Sequence, residues 1–141
     1  MTMRKIFIDS CIFIAMLNPN DQWNEKVSEK MSDIEQHGFK VITSEYVIME
    51  ILNMFCKYGD TIKSNALELI NDLYSDPNIE IRRLSSDGFS KAIEKFKKYK
   101  DKNWSIIDCT SFNIMDEIKT IECLSTDKHF KQAGFTNLLV L

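Results

Sequence analysis

The sequence predicts an α/β fold, a three-layer α/β/α sandwich built on a mostly parallel central sheet. Short, continuous apolar runs such as residues 6–8 are typical of strands that are buried on both faces. Between these runs, apolar residues recur at helical spacing, as Val27, Met31 and Ile34 do. The two patterns alternate along the chain, and this alternation favours parallel strands that helices cover on both sides.

The same patterns predict where each element lies. Three glycines, Gly38, Gly59 and Gly134, mark the ends of predicted helices, because glycine readily ends a helix. We expect strands at residues 6–8, 39–42, 79–84, 120–124 and 138–141. We expect helices at residues 11–17, 21–36, 43–58, 60–75, 87–99, 105–118 and 128–133.

Length and composition point to one globular domain over residues 1–141. The net charge of -3 excludes a globally basic surface, so binding of nucleic acid would need a local patch. No apolar run approaches the roughly 20 residues that span a bilayer, and the first residues lack the apolar stretch of a signal peptide. We therefore expect a cytoplasmic protein without membrane association.

The four cysteines, Cys11, Cys56, Cys109 and Cys123, show no C-x-x-C spacing and have no pair of histidines near them. This pattern argues against a zinc site, and a chain of this length can build a core without a disulfide framework. We expect free, buried thiols.

Four acidic residues fall near the predicted carboxyl ends of strands. Asp9 follows the first strand and Asp127 follows the fourth, while Glu50 lies in the helix after the second strand. Asp108 lies in the first turn of the helix that begins at Ser105. Ligands of open parallel sheets bind beyond the carboxyl ends of the strands, so the sequence allows these acids to meet there.

Three of these acids also have a structural explanation. Asp9 and Asp127 can cap the helices that follow them, and Asp108 stands at capping-box spacing from Ser105. Glu50 and Asp108, however, share helical faces with apolar residues, and no Lys or Arg nearby in sequence pairs with either. A shared cation would explain both, and carboxylates without Cys or His favour Mg²⁺ or Mn²⁺. The residues thus predict metal-assisted phosphoryl chemistry and leave the substrate open.

Four segments resemble, in order and spacing, the sequence motifs of PIN-domain ribonucleases, and together they cover essentially the whole chain. They are residues 6–10 (IFIDS), 43–50 (TSEYVIME), 104–112 (WSIIDCTSF) and 124–130 (LSTDKHF), the last followed by Ala133, Gly134 and Phe135. The resemblance implies a PIN-like fold and a nuclease that acts on RNA with Mg²⁺ or Mn²⁺. The compact form is most similar to VapC-type toxins, which implies a small antitoxin partner and a homodimer.

The resemblance also implies roles for individual residues. Asp9, Glu50 and Asp108 would ligate the metal, and Asp127 would complete the site through a water molecule. Three hydroxyl residues, Ser10, Ser105 and Thr126, would orient the carboxylates by hydrogen bonds. One departure is Asn24, where similar sequences often have His.

Several residues outside the motifs have two possible interpretations. The basic segment that contains Lys95, Lys98 and Lys102 is either a solvated helix face or a binding path for RNA phosphates. Arg82 and Arg83 have the same two interpretations. We expect the two histidines, His37 and His129, to be ordinary surface or partly buried residues, since neither completes a hydrolase triad. The acids Glu45, Asp116 and Glu117 could enlarge the site, although helical geometry predicts that Asp116 is exposed.

Three alternative functions remain. A haloacid-dehalogenase-like phosphatase needs a second Asp at the position of Cys11, and a receiver domain needs its phosphorylated Asp after the third strand. A PIN-like module that binds or processes RNA without a toxin role would be distinguished by binding without cleavage.

Overall fold

The structure of the protein, a computed structural model, describes residues 3–140. The strands in this range are β1 (Lys5–Ile8), β2 (Lys40–Ser44), β3 (Ile79–Arg82), β4 (Glu122–Leu124) and β5 (Thr136–Asn137). The helices are α1 (Ser10–Leu17), α2 (Asn24–Gln36), α3 (Glu45–Phe55), α4 (Asp60–Ser75), α5 (Ser86–Lys98), α6 (Ile106–Ile118) and α7 (His129–Gln132).

The five strands form one sheet in the order β3-β2-β1-β4-β5, and every neighbouring pair is parallel. In β1, Ile6, Phe7 and Ile8 have no solvent exposure, because helices cover both faces of the central strand. The predicted α/β/α class is therefore confirmed, with a sheet that is parallel throughout residues 3–140.

The connectivity creates a crevice at one end of the sheet. From the central strand β1 the chain winds to β2 and β3 on one side, and it later returns to β4 and β5 on the other. The connections that leave β1 and β4 therefore diverge, and such a switch point is where open α/β sheets bind ligands. The backbone N–H of Asp9 donates to the carbonyl of Leu124 over 3.1 Å, which holds the end of β1 beside the end of β4.

Several helix ends follow the predicted chemistry. Gly38 and Gly134 have positive φ angles of 66° and 95° just after α2 and α7, which confirms both as helix terminators. Ser105 and Asp108 form the predicted capping box at the start of α6. Gly59 does not end α3, which stops at Phe55; it is instead the N-cap of α4.

The predicted position of the last strand was wrong. The strand β5 is Thr136–Asn137 and not residues 138–140, while residue 141 lies outside the described range. A two-residue polar strand has no apolar run to reveal it and is defined only by its pairing with β4.

Cys56 is also exposed, contrary to the expectation that all four thiols are buried. Within residues 3–140, no helix has both the length and the apolar character to cross a bilayer.

Candidate metal centre

Asp9 stands directly after β1 and is the N-cap of α1. Its side chain is 5% exposed; Oδ1 accepts the backbone N–H of Ser10 over 2.9 Å, and Oδ2 accepts the hydroxyl of Ser125 over 3.0 Å. Burial raises the pKa of Asp9 to about 7, and the negative charges of Glu50 and Asp108 add to the rise against the two hydrogen bonds. Asp9 is therefore the helix cap that its structural explanation predicted. It is also a buried acid whose ionised form is unfavourable.

Glu50 lies in the second turn of α3 and is half-buried. Its Oε1 accepts the hydroxyl of Ser10 over 2.8 Å, so Ser10 bonds to both Asp9 and Glu50. Burial raises the pKa of Glu50, with further increases from the charges of Asp108 and Asp127.

Asp108 lies in the first turn of α6 and is 7% exposed. Its Oδ2 accepts the backbone N–H of Ser105 over 3.0 Å, which fixes the carboxylate orientation. Burial raises the pKa of Asp108 and the charge of Asp127 raises it further, although the hydrogen bonds from Ser105 and His129 oppose this.

Asp127 follows β4 and is paired with His129. Its Oδ1 accepts the backbone N–H of His129 over 2.9 Å. The Nδ1 atom of His129 lies 3.0 Å from Oδ2 of Asp127 and 3.0 Å from Oδ2 of Asp108. Ligand atoms of Asp108, Asp127 and His129 all lie within 4.8 Å of one another, and Asp9 and Glu50 lie outside this group. The site therefore has two adjoining parts, with Asp108 electrostatically coupled to both.

His129 is partly buried, as expected from the sequence, but its contacts with two acids were not predicted. Its side chain is 17% exposed and directed between two of the four acids. A signal was present, since His129 stands two residues after an acid at a strand end. This spacing does not indicate a hydrolase triad, because such a triad requires a nucleophile.

Ser125, and not Thr126, provides the hydroxyl that bonds to an acid after β4. Ser125 Oγ donates to Asp9 and accepts the backbone N–H of Asp127 over 3.0 Å. Among residues 3–140, Thr126 has no side-chain hydrogen bond to any of the acids. Asn137 in β5 is 3% exposed and donates its amide to the carbonyl of Ser125 over 2.7 Å, so it holds this segment in place. The sequence predicted no role for Ser125 or Asn137.

Cys11 adds a thiol beside Asp9. Its Sγ lies 3.5 Å from Oδ2 of Asp9 and accepts the backbone N–H of Thr126 over 3.2 Å. Burial raises the pKa of Cys11 to about 12, and the charge of Asp9 contributes to the rise. The thiol therefore stays protonated near neutral pH and acts as a weak S–H donor to Asp9.

The other acids considered from the sequence have different partners. Glu45 accepts hydrogen bonds from the hydroxyl of Tyr74 and the backbone of Leu84, and Glu117 pairs with Arg82. Asp116 is exposed, as predicted.

The donor set fits a divalent cation. The four acids come from the ends of β1 and β4 and from α3 and α6, and within residues 3–140 none of them forms an ion pair with a Lys or Arg. Burial and mutual repulsion raise the pKa of Asp9, Glu50 and Asp108, so a cation would relieve a cost that their hydrogen bonds offset only in part. Carboxylate oxygens are the ligands preferred by Mg²⁺ and Mn²⁺.

The basic segment leads from α5 to the start of α6. The Nζ atoms of Lys95 and Lys98 lie 5.6 and 5.5 Å from the ring centroid of Tyr99, and Tyr99 packs on Trp104 at 4.9 Å. Within the described chain neither lysine has an acid in ion-pair range, whereas Lys102 lies 3.8 Å from Asp101.

Comparison with known proteins agrees with the sequence motifs. The sequence model of the PIN domain family matches residues 6–136, so the chain belongs to the PIN domain family. The resemblance drawn from the four motifs is therefore confirmed. Among curated proteins, no sequence matches the chain.

Solved structures show the same fold. VapC20 of Mycobacterium tuberculosis, described as a sarcin–ricin loop cleaving toxin, has a TM-score of 0.79 at 20% identity, over 94% of this chain and 98% of that chain. FitAcB of Neisseria gonorrhoeae has a TM-score of 0.64 at 15% identity, over 94% and 95%. FitAB bound to a DNA fragment has a TM-score of 0.69 at 16% identity, over 96% of each chain.

Proposed function

We propose that this protein is a metal-dependent endoribonuclease that hydrolyses RNA phosphodiester bonds. The observation that carries the proposal is the meeting of Asp9, Glu50, Asp108 and Asp127 at the switch point of the sheet, without a Lys or Arg partner among residues 3–140. Membership of the PIN domain family supports it.

The contacts of the acids support the following roles. Asp9, Glu50 and Asp108 would hold a Mg²⁺ or Mn²⁺ ion, with Asp127 completing the site. A bound divalent ion supplies charge neutralisation on the phosphodiester and a lowered pKa for the attacking water. Ser10 orients Asp9 through its backbone N–H and Glu50 through its hydroxyl. Ser105 orients Asp108 through its backbone N–H. Thr126 lies between Ser125 and Asp127, and its backbone bond to Cys11 helps to hold that loop.

We propose RNA as the substrate because VapC20, which has the same fold, is described as a toxin that cleaves the sarcin–ricin loop, an RNA element. Lys95, Lys98 and Lys102 would contact RNA phosphates on the approach to Asp108, since their segment packs through Tyr99 and Trp104 beside the start of α6.

The test is cleavage of tRNA, rRNA and mRNA fragments in Mn²⁺ and in Mg²⁺. We expect Asp9→Asn, Glu50→Gln and Asp108→Asn each to lower the rate by at least about a hundredfold while circular dichroism stays unchanged, because a preorganised charge-stabilising group is removed. Asp127→Asn should have a smaller effect. The exposed Asp116→Asn is the matched control. Full activity in two of the first three variants would overturn the assignment, and RNA binding without cleavage would favour a non-catalytic module.

We further propose that the protein is the toxin of a toxin–antitoxin pair, forming a homodimer and binding a small antitoxin. The similarity to VapC20 and FitAB supports this, as do exposed apolar side chains on α4 such as Ile62 and Tyr74. Trp23, the N-cap of α2, and Met31 within α2 are partly buried, so they offer less surface. Light scattering at tens of micromolar should give the dimer mass. A monomer would contradict the dimer and leave the nuclease proposal intact.

A further inference from the structure

The imidazole of His129 is placed like a ligand of the acidic site. Its Nδ1 atom is 3.0 Å from Oδ2 of Asp108 and 3.0 Å from Oδ2 of Asp127. The backbone N–H of His129 also bonds to Oδ1 of Asp127, so ring and carboxylate are held together as one unit at the start of α7. His129 lies within the fourth sequence motif, which assigns it no role.

The separations suit an ion as well as a hydrogen bond. In octahedral coordination with bonds of about 2.1 Å, cis ligands lie roughly 3.0 Å apart. The two nitrogen–oxygen separations have this value, and the three ligand atoms lie within 4.8 Å of one another. Oδ1 of Asp108 has no hydrogen-bond partner among residues 3–140, so Asp108 can serve the part of the site shared with Asp9 as well.

We infer that His129 is a metal ligand, which together with Asp108 and Asp127 forms a position with one nitrogen and two oxygen donors that prefers Mn²⁺ to Mg²⁺. The inference rests on the proposed function, because it adds a nitrogen donor to the same acidic site. Imidazole suits transition ions, whereas Mg²⁺ favours oxygen ligands and retains its waters. Coordination through Nδ1 requires the neutral ring with its proton on Nε2.

Nitrogen coupling in the electron spin resonance of bound Mn²⁺ tests this directly. The chain contains two histidines, so the source of an imidazole signal can be assigned. Full-length protein without a polyhistidine tag is loaded with substoichiometric Mn²⁺, and electron spin echo modulation from ¹⁴N is recorded in the absence of RNA. We expect the modulation of one directly coordinated imidazole in the wild type and in His37→Gln. The exposed His37 is the matched control.

The same modulation should be absent in His129→Gln, and Mn²⁺ affinity should fall by at least about tenfold, the smallest loss usually seen when even an outer partner of a metal site is removed. Mg²⁺ affinity, measured by competition, should fall less. Bound Mn²⁺ without ¹⁴N modulation in the wild type would overturn the role of His129 and leave the nuclease proposal standing. Failure of the wild type to bind Mn²⁺ at millimolar concentration would overturn both. Because the decisive spectrum is that of the wild type, the test does not depend on whether the variant folds.

Discussion

Asp9 shows how burial and charge act on one side chain. Its backbone pairs with Leu124 at the end of the central strand, and its side chain is buried. Burial is the largest cause of its raised pKa, and the neighbouring acids Glu50 and Asp108 raise it further. An ionised carboxylate in this position lowers the stability of the metal-free fold. Such a loss of stability is expected at a site whose residues serve binding.

We expect Asp9→Asn to be more stable than the wild type in metal-free protein, by an amount that depends on pH. The folded pKa of Asp9, about 7, lies above the ordinary value of about 3.9. The unfavourable contribution is therefore absent at low pH, grows as pH rises from about 4 to 7, and levels off above that range. Its upper bound is roughly 4 kcal/mol for a shift of this size.

Urea denaturation of both proteins at pH 5, 6, 7 and 8 measures the difference in free energy of unfolding. Asn keeps the shape of Asp and can still accept the N–H of Ser10, but its amide NH2 replaces the oxygen that accepts the hydroxyl of Ser125. Glu50 and Asp108 titrate in both proteins, and because their charges act on Asp9, the difference also includes the loss of that coupling. A difference that does not change with pH would show that the carboxyl of Asp9 has an ordinary pKa.

A second residue-scale prediction separates Ser125 from Thr126. Ser125 bonds to Asp9 and to the backbone of Asp127, whereas Thr126 has no side-chain bond to an acid within residues 3–140. Ser125→Ala should therefore lower cleavage activity by about 10- to 100-fold, the usual cost of losing a partner that orients a ligand. Thr126→Val should lower it by less than a factor of about three on the same scale. Equal losses in the two variants would restore the role that the sequence predicted for Thr126.

At the scale of elements, α5 and α6 are joined by a row of aromatic rings. Tyr99 packs on Trp104 at 4.9 Å, and Trp104 packs edge-on against Phe112 at 5.0 Å. Phe112 in turn packs against Phe130 in α7 at 5.0 Å. This row packs the basic end of α5 against the two helices that carry Asp108 and His129.

Replacing Lys95, Lys98 and Lys102 together by Gln should weaken RNA binding and make it less dependent on salt. Each phosphate contact on a single strand contributes about 0.7 to the slope of log affinity against log salt, so three contacts amount to about two units. Binding is measured without metal to prevent cleavage. The control replaces Lys26, Lys30 and Lys63, which lie on α2 and α4 and contribute nothing to the acidic site. An unchanged slope would assign the segment to a solvated face.

At the scale of the whole molecule, the acidic site connects elements that are distant in sequence. Asp9 belongs to the end of β1, Glu50 to α3, Asp108 to α6 and Asp127 to the segment after β4. A cation bound to these groups would join four parts of the chain and reverse their mutual repulsion, so it should stabilise the entire fold.

Thermal melts at pH 7.5 with EDTA or Mn²⁺ measure this stabilisation. At a free ion concentration ten times the dissociation constant, mass action adds about 1.4 kcal/mol, which for this chain length means a rise in Tm of very roughly 3–6 °C. Asp9→Asn should melt higher than the wild type in EDTA and gain less from Mn²⁺. If the wild type does not respond to millimolar Mn²⁺ and Asp9→Asn is simply less stable, the acids are helix caps and not a metal site.

Local patterns in the sequence determined the fold class, the approximate position of most elements and the four acids near strand ends. These features depend on periodicity and capping, which act over a few residues, as the capping box of Ser105 and Asp108 illustrates. They required no knowledge of which strands are neighbours. The strand β5 was misplaced because its two polar residues carry no such local pattern.

Only the tertiary structure decided how the acids are arranged and which groups support them. The strand order placed the ends of β1 and β4 side by side, which brought Ser125 to Asp9. The backbone path after β4 turned His129, and not Thr126, toward the acids. The direction of a side chain in such a segment depends on backbone dihedral angles and on long-range hydrogen bonds, such as that from Asn137 to Ser125. Residue spacing alone does not encode the contacts of Ser125 with Asp9 and of His129 with Asp108, because each joins segments far apart along the chain.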